Sequence, residues 1–152
     1  MNINNTVAFT GHRVISEPVD EENLISIIKE LIKGGAETFL CGMAMGFDLI
    51  AAEAVLKIKR ETPHIKLIAC VPCPDQKNSF KWEEKAKYDR IIAQCDEVKI
   101  LSDHYYDGCM LARNRYMVDN SYAVIAYKRS NLGGTVYTLK YANERGKKII
   151  FI

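Results

Sequence analysis

The sequence lacks the marks of several large functional classes. No apolar run approaches the ~20 residues that cross a bilayer, so no membrane partner is expected. Lys and Arg number 21 against 19 Asp and Glu, and a net charge of +2 is far from the basic excess that drives extended nucleic-acid binding. Nucleic acid is therefore a disfavoured partner. The five cysteines are odd in number and are not spaced as in a small disulfide scaffold. Cys70 and Cys73 form a close pair, but no second such pair or paired histidines could complete four zinc ligands. Pro74 and a loop follow them, where thioredoxin-like chemistry wants a helix start. They read as structural thiols, and no metal is expected. GxSxG, HExxH, GxGxxG and Walker A patterns are missing, which removes support for those hydrolase and P-loop readings. No cofactor is expected. The stretch Met1 to Thr6 is polar and has no apolar signal core, so the reading is a reduced, cytoplasmic protein.

The chain does hold a regular alternation of short apolar runs and helix-period segments over its 152 residues. Strands are predicted at 7–10, 38–41, 65–71, 97–101, 123–127 and 148–152. Helices are predicted at 20–33, 47–60, 82–94, 110–120 and 135–145. No linker or low-complexity stretch interrupts them, so residues 1–152 are expected to form a single domain. The fold class is α/β: a doubly wound, Rossmann-like, mainly parallel sheet of about six strands with helices on both faces. The expected strand order is 3-2-1-4-5-6, with ligands bound outside the carboxyl ends of the strands. Phe80, Trp82 and Tyr88 read as core or rim.

Three loops leave that edge. Thr10-Gly11-His12-Arg13 follows the first strand; its glycine lets the backbone turn tightly, Arg13 offers a fork for phosphate, and His12 offers a donor, acid or base. Gly42-Met43-Ala44-Met45-Gly46-Phe47-Asp48 leads from the second strand into a helix. Its glycines predict backbone N–H groups facing an anion, and Asp48 is placed to complement the helix dipole or to read a ribose or base. Glu53 lies five residues further on, a weaker candidate for the same end. Ser130-Asn131-Leu132-Gly133-Gly134-Thr135 follows the fifth strand and again offers glycines and a hydroxyl at a helix start, with Thr135 or Ser130 as its cap. Arg113 and Arg115 are two apart and do not share a helix face, so at most one reaches the crevice easily.

These motifs, in this order, with Ala51-Ala52-Glu53, Pro72-Cys73-Pro74 and Arg113-Asn114-Arg115, resemble the DUF1273 group, the YpsA- and YoqJ-like members of the SLOG superfamily. The resemblance covers nearly the whole chain. It implies a Rossmann-like domain that binds nucleotides or nucleotide-derived ligands. LOG-type enzymes of that superfamily cleave the bond between a base and ribose 5′-monophosphate with a glutamate in a GGxGTxxE stretch. Here Thr138 stands at that glutamate's place.

The leading expectation is a sensor or sequestering module that binds a nucleotide-like small molecule. Its ligand-binding residues would be Thr10, Gly11, His12, Arg13, Gly42, Met43, Gly46, Asp48, Arg113, Gly133, Gly134 and Thr135. The first alternative is a nucleotide N-glycosidase using Asp48 or Glu53. The second is single-stranded DNA binding, as the DprA-like proteins of the superfamily imply. A homo-oligomer is compatible with the pattern.

Overall fold

The computed structural model describes residues 1–152. Six strands alternate with five helices: β1 (Thr6–Gly11), α1 (Glu21–Lys33), β2 (Thr38–Cys41), α2 (Phe47–Glu61), β3 (Lys66–Val71), α3 (Trp82–Ile92), β4 (Glu97–Ile100), α4 (Cys109–Asp119), β5 (Ala123–Tyr127), α5 (Gly134–Glu144) and β6 (Lys148–Phe151). Two short 3-10 turns, Ile3–Asn5 and Gln76–Ser79, complete the regular structure. Every strand pairing is parallel.

The sheet runs β4-β3-β2-β1-β5-β6, which corrects the expected order 3-2-1-4-5-6. The reason lies in the two strands concerned. Five of the six residues of β3 are buried, and such a run needs neighbours on both sides, which the expected order denies it by leaving the third strand at an edge. In β4, Glu97 and Lys99 alternate with Val98 and Ile100, and only Lys99 is as much as half-buried. Charges on a short strand belong at an edge, where they also discourage pairing with another chain. β4 therefore caps β3, and β5 takes the place beside β1.

Alternate strand residues feed two cores. Val7, Phe9, Phe39, Leu67, Ile125 and Tyr127 face α1, α2 and α3 within a cluster of 27 buried residues. Ala8, Leu40, Ile68, Cys70 and Val124 face α4 and α5 in a cluster of eight. Helix α1 shows how such an element is specified locally. The Asp20 side chain accepts from the Asn23 N–H at 3.0 Å and starts the helix, and Leu24, Ile28 and Leu31 form its buried stripe. Phe80 and Tyr88 are buried edge to face at 5.7 Å, whereas Trp82 is 80% exposed and belongs to the rim.

This order fixes the site. From β1 the chain moves outward through β2, β3 and β4, and from β5 it moves the other way to β6. The loops that leave β1 and β5 part to opposite faces, and a crevice opens between them at the carboxyl edge.

Candidate functional site

The crevice has a volume of about 670 Å³, within the ~300–1,000 Å³ usual for small-molecule sites. Its walls come from three places. The end of β1 and its loop supply Phe9 to Val14 and Ser16. α4 supplies Met110, Leu111, Arg113 and Asn114. The β5–α5 turn supplies Arg129, Ser130, Gly133, Gly134 and Thr135. Ala44 and Asp48 close the floor.

The first loop is built on an aromatic stack. Phe47 lies parallel to Tyr127 at 5.6 Å and edge-on to Phe9 at 6.3 Å. Gly11 passes directly over the Phe47 ring, and a Cβ there would lie 2.5 Å from Cγ. Glycine is thus required at position 11 by packing, besides lining the crevice. The Tyr127 hydroxyl donates to the Glu17 carbonyl and ties down the far end of the same loop. Arg13 is exposed and makes no ion pair within the chain.

His12 is not an acid or base in waiting. Its Nε2 accepts hydrogen bonds from the backbone N–H groups of Arg129, at 2.9 Å, and Ser130, at 3.2 Å. A nitrogen that accepts carries no proton, so the ring is neutral with its proton on Nδ1. Burial, then the nearby Lys128 and Arg129, holds its pKa below the ordinary imidazole value.

The second loop departs from expectation. Gly46 has φ +82°, and a Cβ there would meet the carbonyl oxygens of His12 and Arg13. The Phe47 N–H, first in α2, donates to the His12 carbonyl at 3.1 Å. Met43 is fully buried, and its N–H points at the Cys41 sulfur at 3.5 Å. The Gly42 carbonyl accepts from Gln76 Nε2 at 2.9 Å and from Arg113 Nη1. Gly42, Met43 and Gly46 therefore form a turned-in bracket under the crevice and do not line it. The bracket carries Asp48, which is 7% exposed, accepts from the Ala44 N–H at 3.2 Å and does line the floor. Burial pushes its carboxyl up to about 6, against the opposing pull of Arg113, the Ala44 N–H and Arg13. Glu53 is elsewhere. It pairs with Arg90 at 2.7 Å and Lys87 at 4.0 Å in a shallow groove between α2 and α3, outside the crevice.

Of the two arginines on α4, Arg113 is the one turned inward. It is 3% exposed; Nε donates to Asn114 Oδ1 at 2.7 Å, and Nη1 donates to the carbonyls of Gly42 and Cys70. Nη2 has no partner in the protein, and no carboxylate pairs with the guanidinium. Arg115 reaches outward to the Tyr137 hydroxyl at 2.9 Å.

The third loop ends in an open helix start. Gly133 is the cap residue of α5, and no side chain caps it, so neither Thr135 nor Ser130 plays the expected capping role. The first intrahelical bond runs from Tyr137 N–H to Gly133 O, which leaves the N–H groups of Gly134, Thr135 and Val136 without helical acceptors. A Cβ on Gly133 would meet nothing within 4 Å, and one on Gly134 nothing nearer than 3.9 Å. Thr138 is buried one turn on; its hydroxyl donates to Gly134 O at 2.8 Å and accepts from Asn114 Nδ2 at 2.9 Å. It joins α5 to α4 and does not line the crevice. Arg129 and Asn114 also line the crevice, although the sequence pattern does not single them out as site residues. A signal for Arg129 exists in the sequence, since a pair of cations directly follows the fifth strand.

A family model described as the YspA SLOG family matches residues 16–150. The chain belongs to that family. It is 30% identical over 128 residues to a UPF0398 protein of Halalkalibacterium halodurans, covering 82% of this chain and 66% of that relative. It is also 30% identical over 137 residues to the SPbeta prophage-derived protein YoqJ of Bacillus subtilis, covering 82% of this chain and 80% of that one. The chain thus spans about two thirds of the UPF0398 protein's length. In fold it is similar to DNA processing protein A of Helicobacter pylori, with a TM-score of 0.68 at 24% identity over 96% of this chain and 64% of that protein. The Helicobacter protein binds single-stranded DNA. No helix of this SLOG family member is long and apolar enough to cross a membrane, and its five cysteines are free.

Proposed function

We propose that this SLOG family member binds a nucleotide or nucleotide-derived phosphate ligand in the crevice between β1 and β5. A nucleotide- or DNA-related binding role is what its family supports at the coarse level. The observation that carries the finer reading is Arg113. Arg113 is 3% exposed as a residue, and no carboxylate is in ion-pair contact with it, although Asp48 attracts it across the floor. Its Nη2 has no protein partner yet is not sealed from solvent, so this nitrogen is open to something anionic or carbonyl-bearing in the crevice. The same crevice presents the bare N–H groups of α5 and the unpaired Arg13, a natural seat for phosphate. Asp48 on the floor suits a ribose hydroxyl or a base edge. Mass spectrometry of small molecules released by denaturing the purified protein identifies the ligand, and calorimetry measures it. A protein that releases no phosphate compound and binds neither AMP nor ADP would sink the reading.

The carboxyl of Asp48 favours a second reading. A buried acid pushed up to about 6 in a crevice is a typical general acid or base. It could supply the role that Thr138 leaves vacant in a nucleotide N-glycosidase. The leading reading expects AMP to raise the melting temperature in proportion to its concentration, with no adenine released on long incubation. Multiple turnovers of free base that vanish in Asp48→Asn would establish the enzyme. Single-stranded DNA is the third ligand to test, because the fold resembles that of a protein that binds it, against the near-neutral charge of this chain. A short oligo-dT in the same calorimeter separates it from mononucleotides.

A further inference from the structure

His12 joins two loops that are 117 residues apart in sequence. Its ring nitrogen sits where the consecutive N–H groups of Arg129 and Ser130 converge. Two successive backbone donors turned to one point form a concavity that ordinarily takes an anion, and here a neutral imidazole fills it. The segment it holds leads straight to Gly133 and Gly134. The Arg129 side chain also ties its start, donating to Glu17 Oε2 at 3.1 Å and to the Ile152 carbonyl at 3.0 Å, but beyond Arg129 few other ties fix that segment. Ser130 Oγ accepts from the Leu132 N–H at 3.1 Å, and Lys128 Nζ donates to Asn131 Oδ1 at 2.9 Å, both within the loop. Leu132 is 79% exposed.

We propose that His12 is a positioning residue: its unprotonated Nε2 latches the β5–α5 loop in place, and protonation of the ring releases it. The inference rests on the crevice being the ligand site, but the latch itself can be read without ligand. A protonated imidazole is a donor at both nitrogens and can accept from neither N–H. Its surroundings oppose the charge. Lys128 and Arg129 stand on the loop and Arg13 follows in the chain, while Glu17, further along the first loop, is paired with Arg129 at 3.1 Å. The Tyr127 ring meets the imidazole edge-on at 6.1 Å and carries the Arg129 guanidinium at 4.4 Å. Asp48, the other titrating group of the crevice, donates nothing to the loop.

The direct test is amide hydrogen exchange by NMR in the ligand-free protein, with protection factors of Arg129 and Ser130 followed from pH 7.5 to pH 5. In the wild type both fall together by about tenfold or more, the scale of two lost hydrogen bonds, and the fall tracks the His12 imidazole resonances. In His12→Gln the side-chain carbonyl accepts at every pH, and protection is retained throughout. In His12→Ala it is low throughout. Full protection in His12→Ala, or a fall with pH that persists in His12→Gln, overturns the proposal. If His12→Ala does not fold, the pH response of His12→Gln decides alone. AMP binding at pH 7.5 then separates the latch from the site. Affinity that drops at least about fivefold in His12→Ala and recovers in His12→Gln supports both. A latch that behaves as described in a wild type that binds no AMP or ADP confirms the switch while failing the ligand reading.

Discussion

Replacing Asp48 by Asn should stabilise the protein at neutral pH and remove part of its pH dependence. The carboxyl is 7% exposed and its pKa rises from 3.8 to about 6, with burial outweighing the attraction of Arg113. A native pKa above the unfolded one means that the folded state holds the proton more tightly. Between about pH 4 and pH 6 the folded chain binds more protons than the unfolded chain, so the contribution of Asp48 to stability falls as pH rises through that window and then levels. A rise from 3.8 to about 6 corresponds to about 3 kcal/mol at ~1.4 kcal/mol for each tenfold change in proton affinity. Asn keeps an oxygen for the Ala44 N–H and carries no charge to desolvate. The difference in unfolding free energy between variant and wild type should be near zero at pH 4. It should climb to about 3 kcal/mol above pH 6.5, or about 6–12 °C in melting temperature for a chain of this size. Urea denaturation of both proteins from pH 4 to pH 8 measures it, and the subtraction cancels every other titrating group. A variant that is less stable than wild type at pH 7, or a difference that does not change between pH 4 and pH 6.5, would refute the reasoning. A gain in stability joined to a loss of ligand affinity would mark Asp48 as a residue kept for function at the expense of stability.

The other predictions probe the glycine turns and the thiols. Gly134→Asp finds room for its side chain, with nothing nearer than 3.9 Å to the new Cβ, so the fold should hold. The carboxylate meets the proposed phosphate seat, and AMP or ADP affinity by calorimetry should fall at least about tenfold, or ~1.4 kcal/mol; an unchanged affinity removes the α5 turn from the site. Gly46→Ala should instead damage the fold, because a Cβ at φ +82° strikes the His12 and Arg13 carbonyls. A loss of about 3 kcal/mol or more is expected, and a melting temperature within about 2 °C of wild type would contradict the packing argument. Cys73→Ser should leave AMP affinity unchanged and the wild type should carry no stoichiometric zinc, since no group of three or more His, Cys, Asp or Glu side chains is placed to hold a metal ion; elemental analysis finding about one zinc per chain would reverse that.

Much of the architecture is legible in the sequence because each strand and helix obeys a local rule. The buried runs Val7–Thr10 and Ala123–Tyr127 read as interior strands, and the helix at residues 21–33 has both its stripe and its cap in the sequence. Strand order is a different matter. The familiar doubly wound order puts the fourth strand beside the first, and it takes the charged alternation Glu97-Val98-Lys99-Ile100 to show that this strand cannot sit there. That pattern is in the sequence, but it decides the order only once the familiar topology is set aside. For Arg113 and Arg115, helical spacing shows that they diverge but not which one turns inward. That choice depends on the carbonyls of Gly42 and Cys70, which lie 71 and 43 residues away. Distance along the chain puts Glu53 near the crevice, yet its partners on α3 come from a crossing that chain distance does not reveal.

The second glycine loop shows what a motif cannot decide. Glycine before a helix offers N–H groups to an anion only if no other group reaches them first. At α2 the His12 carbonyl takes the first N–H, and Gly46 is glycine so that backbone can lie against it. At α4 the Cys109 N–H is taken by the Tyr106 carbonyl at 3.1 Å. At α5 no side chain caps the turn and no backbone crosses it. Three similar turns thus serve different ends, and His12 takes part in two of them. Its carbonyl occupies the start of α2, while its ring holds the loop that leads to the start of α5. The residue after Gly11 thus fills the start of α2 with its carbonyl and bonds the approach to α5 with its ring, while the first N–H groups of α5 keep no protein acceptor.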